Sequence, residues 1–299
     1  MDWLSLIIFS AFFFSIVDVM DKFLCSNKIK SVFAFLVITN IISVVFTSFL
    51  LFFVDFKISW GWPLFFAAIS AIFYFFLWAF WLKALKKTEV SRSIAIYSSA
   101  PIYTALLAVV FLQEQLSLIK WLSIVAIIAG SILCSYEKTS ARKSIGFNSM
   151  YLLVILAALF SSLGGIVSKA AMQTMHPFIV DIVAVYAAIP LFLLLFLKKG
   201  VFNEVVEVIK NKKIIFPFLI RGLLGFLGTI TFYLAISLGP VSLVSAGFGG
   251  TNPLFVFGIS IILSLFWPKF IKENISPQTI FQKAMAIILI VGGVVLINF

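Results

Sequence analysis

The chain has 299 residues, of which 63% are hydrophobic, 17% aromatic and 11% charged, with 36 phenylalanines and a formal net charge of +11. A soluble globular domain carries about 25% charged residues, so the composition excludes one and requires an integral membrane protein. Two cysteines (Cys25 and Cys134) and one histidine (His176) are too few for a disulfide framework, and no CxxC or Cys/His cluster offers a metal site.

The apolar runs are about 18–25 residues long instead of alternating segments of about ten, which selects membrane-spanning helices over a barrel. Ten runs are predicted: Trp3–Met20, Ser31–Phe53, Trp62–Leu82, Ser93–Phe111, Trp121–Tyr136, Tyr151–Ala171, Phe178–Leu197, Phe216–Leu238, Val241–Phe266 and Gln282–Phe299. The expected fold class is an all-α, multi-pass membrane protein whose solvent is the lipid bilayer. Met1-Asp2-Trp3 lacks a basic n-region and no small-residue cleavage site follows, so the first run is expected to remain in the mature protein. The longest polar connection, Lys198–Lys213, carries Glu204 and Glu207 among its lysines and reads as a short interfacial helix.

The positive charge is one-sided. Connections after runs 1, 3, 5, 7 and 9 hold eighteen basic residues, from Lys22, Lys28 and Lys30 to Lys269, Lys272 and Lys283, and the opposite side holds two, Lys57 and Lys120. That is the positive-inside bias of a membrane protein and not a nucleic-acid surface, and it places both termini outside and both cysteines on the reducing side.

Taken in chain order, the polar residues at membrane depth are few, and each needs a partner, a wet cavity or a route to the interface. In run 1, Asp18 precedes Lys22 by one helical turn, a spacing that lets them pair. Run 3 carries Tyr74, Trp78 and Trp81 on one helical stripe, which faces lipid or core, or else walls a cavity with hydrogen-bonding aromatics. Run 4 is interrupted by Tyr97-Ser98-Ser99-Ala100-Pro101 and closes on Glu114, read as a solvated helix end. Lys169 in run 6 has the same two roles open to it as Lys22: snorkelling to an interface, or bordering an entrance to the cavity. His176 precedes Pro177 in a turn and reads as a surface residue. Asp181 in run 7 and Arg221 in run 8 lie within reach of headgroups, although a guanidinium fork beside Gly222 and Gly225 also suits a carboxylate or phosphate. Run 9 holds Gly247-Phe248-Gly249-Gly250-Thr251-Asn252-Pro253 at its middle, which is either a small-residue packing surface or a loosened helix beside a water-filled cavity.

The halves match in order. A shift of 147 places Ala11, Phe13, Ser15 and Lys22 on Ala158, Phe160, Ser162 and Lys169; a shift of 151 places Ala84, Val90, Ser91 and Ala95 on Ala235, Val241, Ser242 and Ala246 and brings Pro101 within one residue of Pro253. The chain is therefore expected to be a duplicated five-helix unit: residues 1–136, a basic linker at 137–149, and residues 150–299. Because five is odd, the copies must be inverted about an axis in the membrane plane, and interrupted helices in corresponding places point to a substrate site.

The doubled unit, Asp18-Val19-Met20-Asp21-Lys22, Ser168-Lys169, the Ala84–Ser91 and Ala235–Ser242 junctions, the paired prolines and Phe111-Leu112-Gln113-Glu114 together resemble the drug/metabolite transporter superfamily. The likeness is to its EamA-type ten-helix members and covers nearly the whole chain. It implies a transporter with alternating access and a cavity lined by runs 1, 3, 4, 6, 8 and 9. Two departures stand out: half two has no glutamate matching Glu114, and the resemblance implies cytoplasmic termini where the charge count places them outside.

The expected function is a secondary transporter of a small-molecule substrate, an amino acid or amino-acid-derived compound, in a bacterial-type cytoplasmic (inner) membrane. Expected substrate-binding residues are Asn252, Thr251, Tyr97, Ser98, Trp78, Tyr74, Tyr233 and Arg221; expected gating or coupling residues are Lys22, Lys169 and Asp18, with proton or counter-substrate coupling. No metal or cofactor is expected, and no Gly-x-x-x-x-Gly-Lys-Ser/Thr string is present to bind ATP. The alternatives are an intramembrane lipid-modifying enzyme, for which Asp18, Asp181 and His176 are too scattered, and a channel or scaffold.

Overall fold

The computed structural model describes residues 2–88, 90–135, 149–266 and 277–296, and among these the regular structure is helical. The helices are α1 (Trp3–Asn27), α2 (Val32–Ser48, continued by a 3-10 turn, Phe49–Phe52), α3 (Trp62–Leu85), α4 (Val90–Tyr97), α5 (Ala100–Phe111), α6 (Leu118–Ser135), α7 (Ser149–Met172), α8 (Pro177–Phe196), α9 (Lys199–Lys210), α10 (Lys212–Leu238), α11 (Val241–Phe266) and α12 (Pro277–Leu296). Seven of these, α1, α2 with its 3-10 turn, α3, α7, α8, α10 and α11, are long and apolar enough to cross a membrane. Shorter apolar stretches lie in α5, α6 and α12. All but Ser149 of the linker expected at 137–149 lies outside the described residues.

The starts follow from local chemistry. Asp2 accepts from the Ser5 amide at 3.2 Å at the head of α1, Ser31 from Ala34 at 3.4 Å at the head of α2, and His176 Nδ1 from Phe178 at 3.3 Å at the head of α8. Gly61 enters α3 with φ +91°, a left-handed conformation that favours glycine. The polar connection predicted as an interfacial helix is α9, which buries Val201, Val205 and Val208 against its neighbours. Its Glu204 carboxylate accepts from the amides of Lys30 (2.6 Å) and Ser31 (3.1 Å), so the connection caps α2 from a distance.

Two boundaries correct the sequence reading. Helix α1 runs seven residues past Met20, because both charges that ended the apolar run, Asp21 and Lys22, find partners inside the protein. Run 4 is divided at Ser98–Ser99, whereas run 9, expected to loosen at Pro253, is one continuous helix.

Helix α1 packs along α10 and α11, α7 along α3 and α5, α6 along α12, and α2 along α8. The interior is apolar, with the Phe35 and Phe218 rings 4.9 Å apart and tilted at 59°, both fully buried as are Leu82 and Leu85. The outer face is apolar as well: Phe52, Phe53, Trp60 and Trp62 are exposed between α2 and α3, where aromatic rings suit a membrane interface.

Candidate functional site

Inside the bundle lies a cavity of about 290 Å³ walled by α1, α2, α3, α4, α5, α7, α8, α10 and α11. Its charged corner begins on α1. The Asp18 Oδ2 accepts from Asn252 Nδ2 of α11 at 3.2 Å, and does not pair with Lys22 as the helical spacing allows. One turn on, the fully buried Asp21 takes the Arg221 fork of α10 bidentately, Nε to Oδ1 at 2.8 Å and Nη2 to Oδ2 at 2.9 Å. The guanidinium also lies 5.4 Å from the Trp78 ring and 5.9 Å from Phe35. Arg221 is thus an interior residue, not one that reaches headgroups. With two nitrogens on Asp21, its Nη1 faces the Gly225 side of the wall, where a Cβ would stand 3.5 Å away.

The aromatic wall comes from α3, α4 and α10. Trp78 and Tyr74 line it, and the Trp81 and Tyr97 rings meet at 5.2 Å, tilted at 55°. The Tyr97 hydroxyl donates to Ser161 Oγ of α7 at 2.9 Å. Tyr233 shares a 3.5 Å hydroxyl contact with Ser168, whereas the Tyr74 hydroxyl is buried with no partner. Ser98 also lines the cavity, with its hydroxyl given to the Ile94 carbonyl at 2.9 Å.

The structure does not bring three of the expected residues to the wall. Thr251 returns its hydroxyl to the Gly247 carbonyl at 2.7 Å, one turn back on α11. Lys22 donates to the carbonyls of Leu85 (2.8 Å) and Thr88 (3.0 Å) at the end of α3. Lys169 donates to Ile236 (2.6 Å), Ser237 (3.3 Å) and Gly239 (3.0 Å) at the end of α10. Both ammonium groups therefore complete carbonyls that a helix terminus leaves open, instead of snorkelling or facing the cavity. Glu114 is no solvated end either: its carboxylate accepts from the Val241 amide at 2.7 Å and from the Ser242 hydroxyl, at the first turn of α11.

Sequence reasoning missed two contributors. Asp181 of α8, assigned to headgroups, is 4% exposed and lines the cavity, with the Thr47 hydroxyl beside it. Helix α2 lays Thr39, Asn40, Ser43 and Thr47 along the wall. Their spacing of one, three and four residues in an otherwise apolar helix is a polar stripe that sequence periodicity makes visible.

At Pro253 the missing donor frees the Gly249 carbonyl, and the Ser131 hydroxyl of α6 takes it at 2.8 Å. Close approach makes this contact reachable. A Cβ on Gly250 would stand 2.6 Å from Ile127 and 3.1 Å from Ile290, and one on Gly249 would stand 3.1 Å from Pro101. The two proline segments meet there, through packing. Among the described residues no three of His, Cys, Asp and Glu converge as metal ligands.

Residues 1–136 match the EamA-like transporter family. No curated protein matches the chain. A solved crystal structure, described only as that of a protein, is similar over 100% of this chain and 99% of its own, with a TM-score of 0.67 and 16% identity, which is a likeness of fold. With its apolar helices, the chain is an integral multi-pass membrane protein whose residues 1–136 are similar to the EamA-like transporter family.

Proposed function

We propose that the protein is a secondary transporter that moves an amino acid or amino-acid-derived compound by alternating access between two inverted five-helix halves, crossing the membrane ten times. The observation that carries the reading is the cavity itself: an interior space of ligand size, apolar and aromatic, with a few polar groups converging from both halves. Asn252, Tyr97, Ser98, Trp78, Tyr74, Tyr233 and Arg221 bind the substrate from its wall, while the remaining expected residue, Thr251, supports α11.

Reciprocity of the packing supports the inverted halves. Helix α1 packs on α10 and α11, and α7, its counterpart in the second half, packs on α3 and α5, the counterparts of those two. The lysines repeat the relation, since Leu85 and Thr88 plus the shift of 151 give Ile236 and Gly239, the carbonyls held by Lys169.

Coupling to protons or to a counter-substrate runs through Asp18, which Asn252, Arg221 and Tyr97 face from neighbouring helices and Asp21 from one turn on along α1. The basic connections face the cytoplasm of a bacterial-type inner membrane, and a cysteine in place of Ser140 resists impermeant thiol reagents in intact cells once Cys25 and Cys134 are removed; ready labelling reverses the orientation. The deciding experiment is flux with the purified protein in liposomes. Saturable uptake with counterflow supports a transporter, uptake without counterflow a channel, and chemical conversion of the compound an enzyme.

A further inference from the structure

We propose that the cavity takes an organic dication, an α,ω-diamine of the kind formed when a basic amino acid loses its carboxyl group, with one ammonium at Asp18 and the other at Asp181. The inference rests on the transporter reading and names its substrate class.

The charge inventory leads to it. Among the described residues Arg221 is the only cation on the cavity wall, and Asp21 takes its fork bidentately. That pair is neutral. Asp18 and Asp181 then line the same cavity, and among the described residues neither forms a salt bridge: Arg221 acts on Asp18 only from within its pair with Asp21. A carboxylate in the membrane interior needs a counter-charge, and here the occupant is what can bring it.

Placement separates the two poles. Asp18 belongs to α1, which is held by α10 and α11; Asp181 belongs to α8, which is held by α2 and α3. A monocation answers one pole and leaves the other bare. A zwitterion brings a carboxylate of its own into a space that already has two.

Each pole also carries the acceptors that an ammonium's three donors require. At Asp18, Asn252 spends its amide nitrogen on the carboxylate and keeps its carbonyl oxygen free to accept. On the Asp181 side, Thr47 stands beside the carboxylate, and Tyr74, a residue of the same cavity wall, has a buried hydroxyl with no hydrogen-bond partner. On the same wall stand Trp78, Trp81 and Tyr97, aromatic side chains of a kind that suits methylene groups and attracts cations.

Binding is measured on the full chain in nanodiscs by tryptophan fluorescence, with α,ω-diamines of increasing chain length, monoamines of matched length and zwitterionic amino acids. One diamine is expected to bind at least about tenfold tighter than its matched monoamine. Asp18→Asn and Asp181→Asn should each erase that preference while keeping monoamine binding, and Asp181→Glu should restore it. Equal affinity for diamine and monoamine, or a preference that survives in both Asn variants, overturns the proposal. Stronger binding and counterflow of a zwitterion overturns it and leaves the transporter reading standing. If none of the three classes binds or counterflows, both readings fall. Loss of all binding, monoamine included, in an Asn variant with an unchanged melting curve overturns the two-pole arrangement; loss with a collapsed melting curve passes the decision to Asp181→Glu, whose failure to keep the preference overturns it.

Discussion

The Pro101 and Pro253 segments face the same difficulty, a carbonyl deprived of its backbone donor inside a membrane, and resolve it differently. At Pro101 the helix stops: α4 ends at Tyr97, α5 begins at Ala100, and the hydroxyls of Ser98 and Ser99 go to the carbonyls of Ile94 and Ile96. At Pro253 the helix continues, and the freed Gly249 carbonyl borrows the hydroxyl of Ser131 from α6. The first solution is a local break in the helix, and its serine hydroxyls serve carbonyls other than that of Tyr97, four residues before the proline. The second needs a neighbouring helix close at hand, which Gly250 permits by leaving room for Ile127 and Ile290. The same contrast appears at the junctions ahead of each segment. Lys22 closes the end of α3, where Thr88 and Ser93 also share a 2.7 Å hydroxyl contact. At the α10–α11 junction Lys169 takes the outgoing carbonyls while Glu114 takes the incoming amides.

The largest test of this contrast is Lys169→Met, which leaves three carbonyls open and should cost about 3 kcal/mol in unfolding free energy, more than Lys22→Met, since charged hydrogen bonds contribute about 1.5–3 kcal/mol. Equal losses in detergent unfolding would make the junctions equivalent. Next comes Asn252→Leu, which removes the partner of Asp18 and should weaken substrate binding by about 2 kcal/mol, roughly thirtyfold. Ser98→Ala, whose hydroxyl already donates to the Ile94 carbonyl and can only accept from the substrate, should weaken affinity less than Asn252→Leu, and titrating both variants separates the two walls. Gly250→Ala pushes a Cβ into two isoleucines and should cost about 1–2 kcal/mol, while Gly258→Ala, with nothing within 4 Å, should be neutral or stabilising in a thermal melt. The smallest effect is expected for Ser131→Ala, about 1 kcal/mol, read as a lowered melting temperature. No shift there would mean that α11 remains continuous without its borrowed donor.

Apolar length was the legible part of this chain, because a bilayer imposes it on every spanning helix regardless of partners. Boundaries failed where charge was satisfied at long range: nothing local to Asp21 announces Arg221, and so the helix seemed to end a turn and more too early. Thr251 was assigned to substrate because a polar residue in an apolar run draws attention, yet a helical threonine can satisfy itself on its own preceding turn. Asp181 was misread for the opposite reason. A place near a helix start suggests an interface, and only packing of α8 against α2 and α3 turns the carboxylate inward. The polar stripe of α2 was present in the sequence and needed only its period to be counted.

The Asp21–Arg221 bridge joins residues 200 positions apart, and that interval has a cost during biogenesis. At synthesis rates of about 5–20 residues per second, α1 exists for roughly 10–40 seconds before the ribosome delivers its arginine. Throughout that wait an acidic helix lacks its permanent counter-ion, so α1 has to be sheltered by the insertion machinery, or rest at the headgroups, until α10 arrives. The first helix therefore settles only once the tenth has been made, and a nascent chain stalled before Arg221 should leave α1 extractable from the membrane.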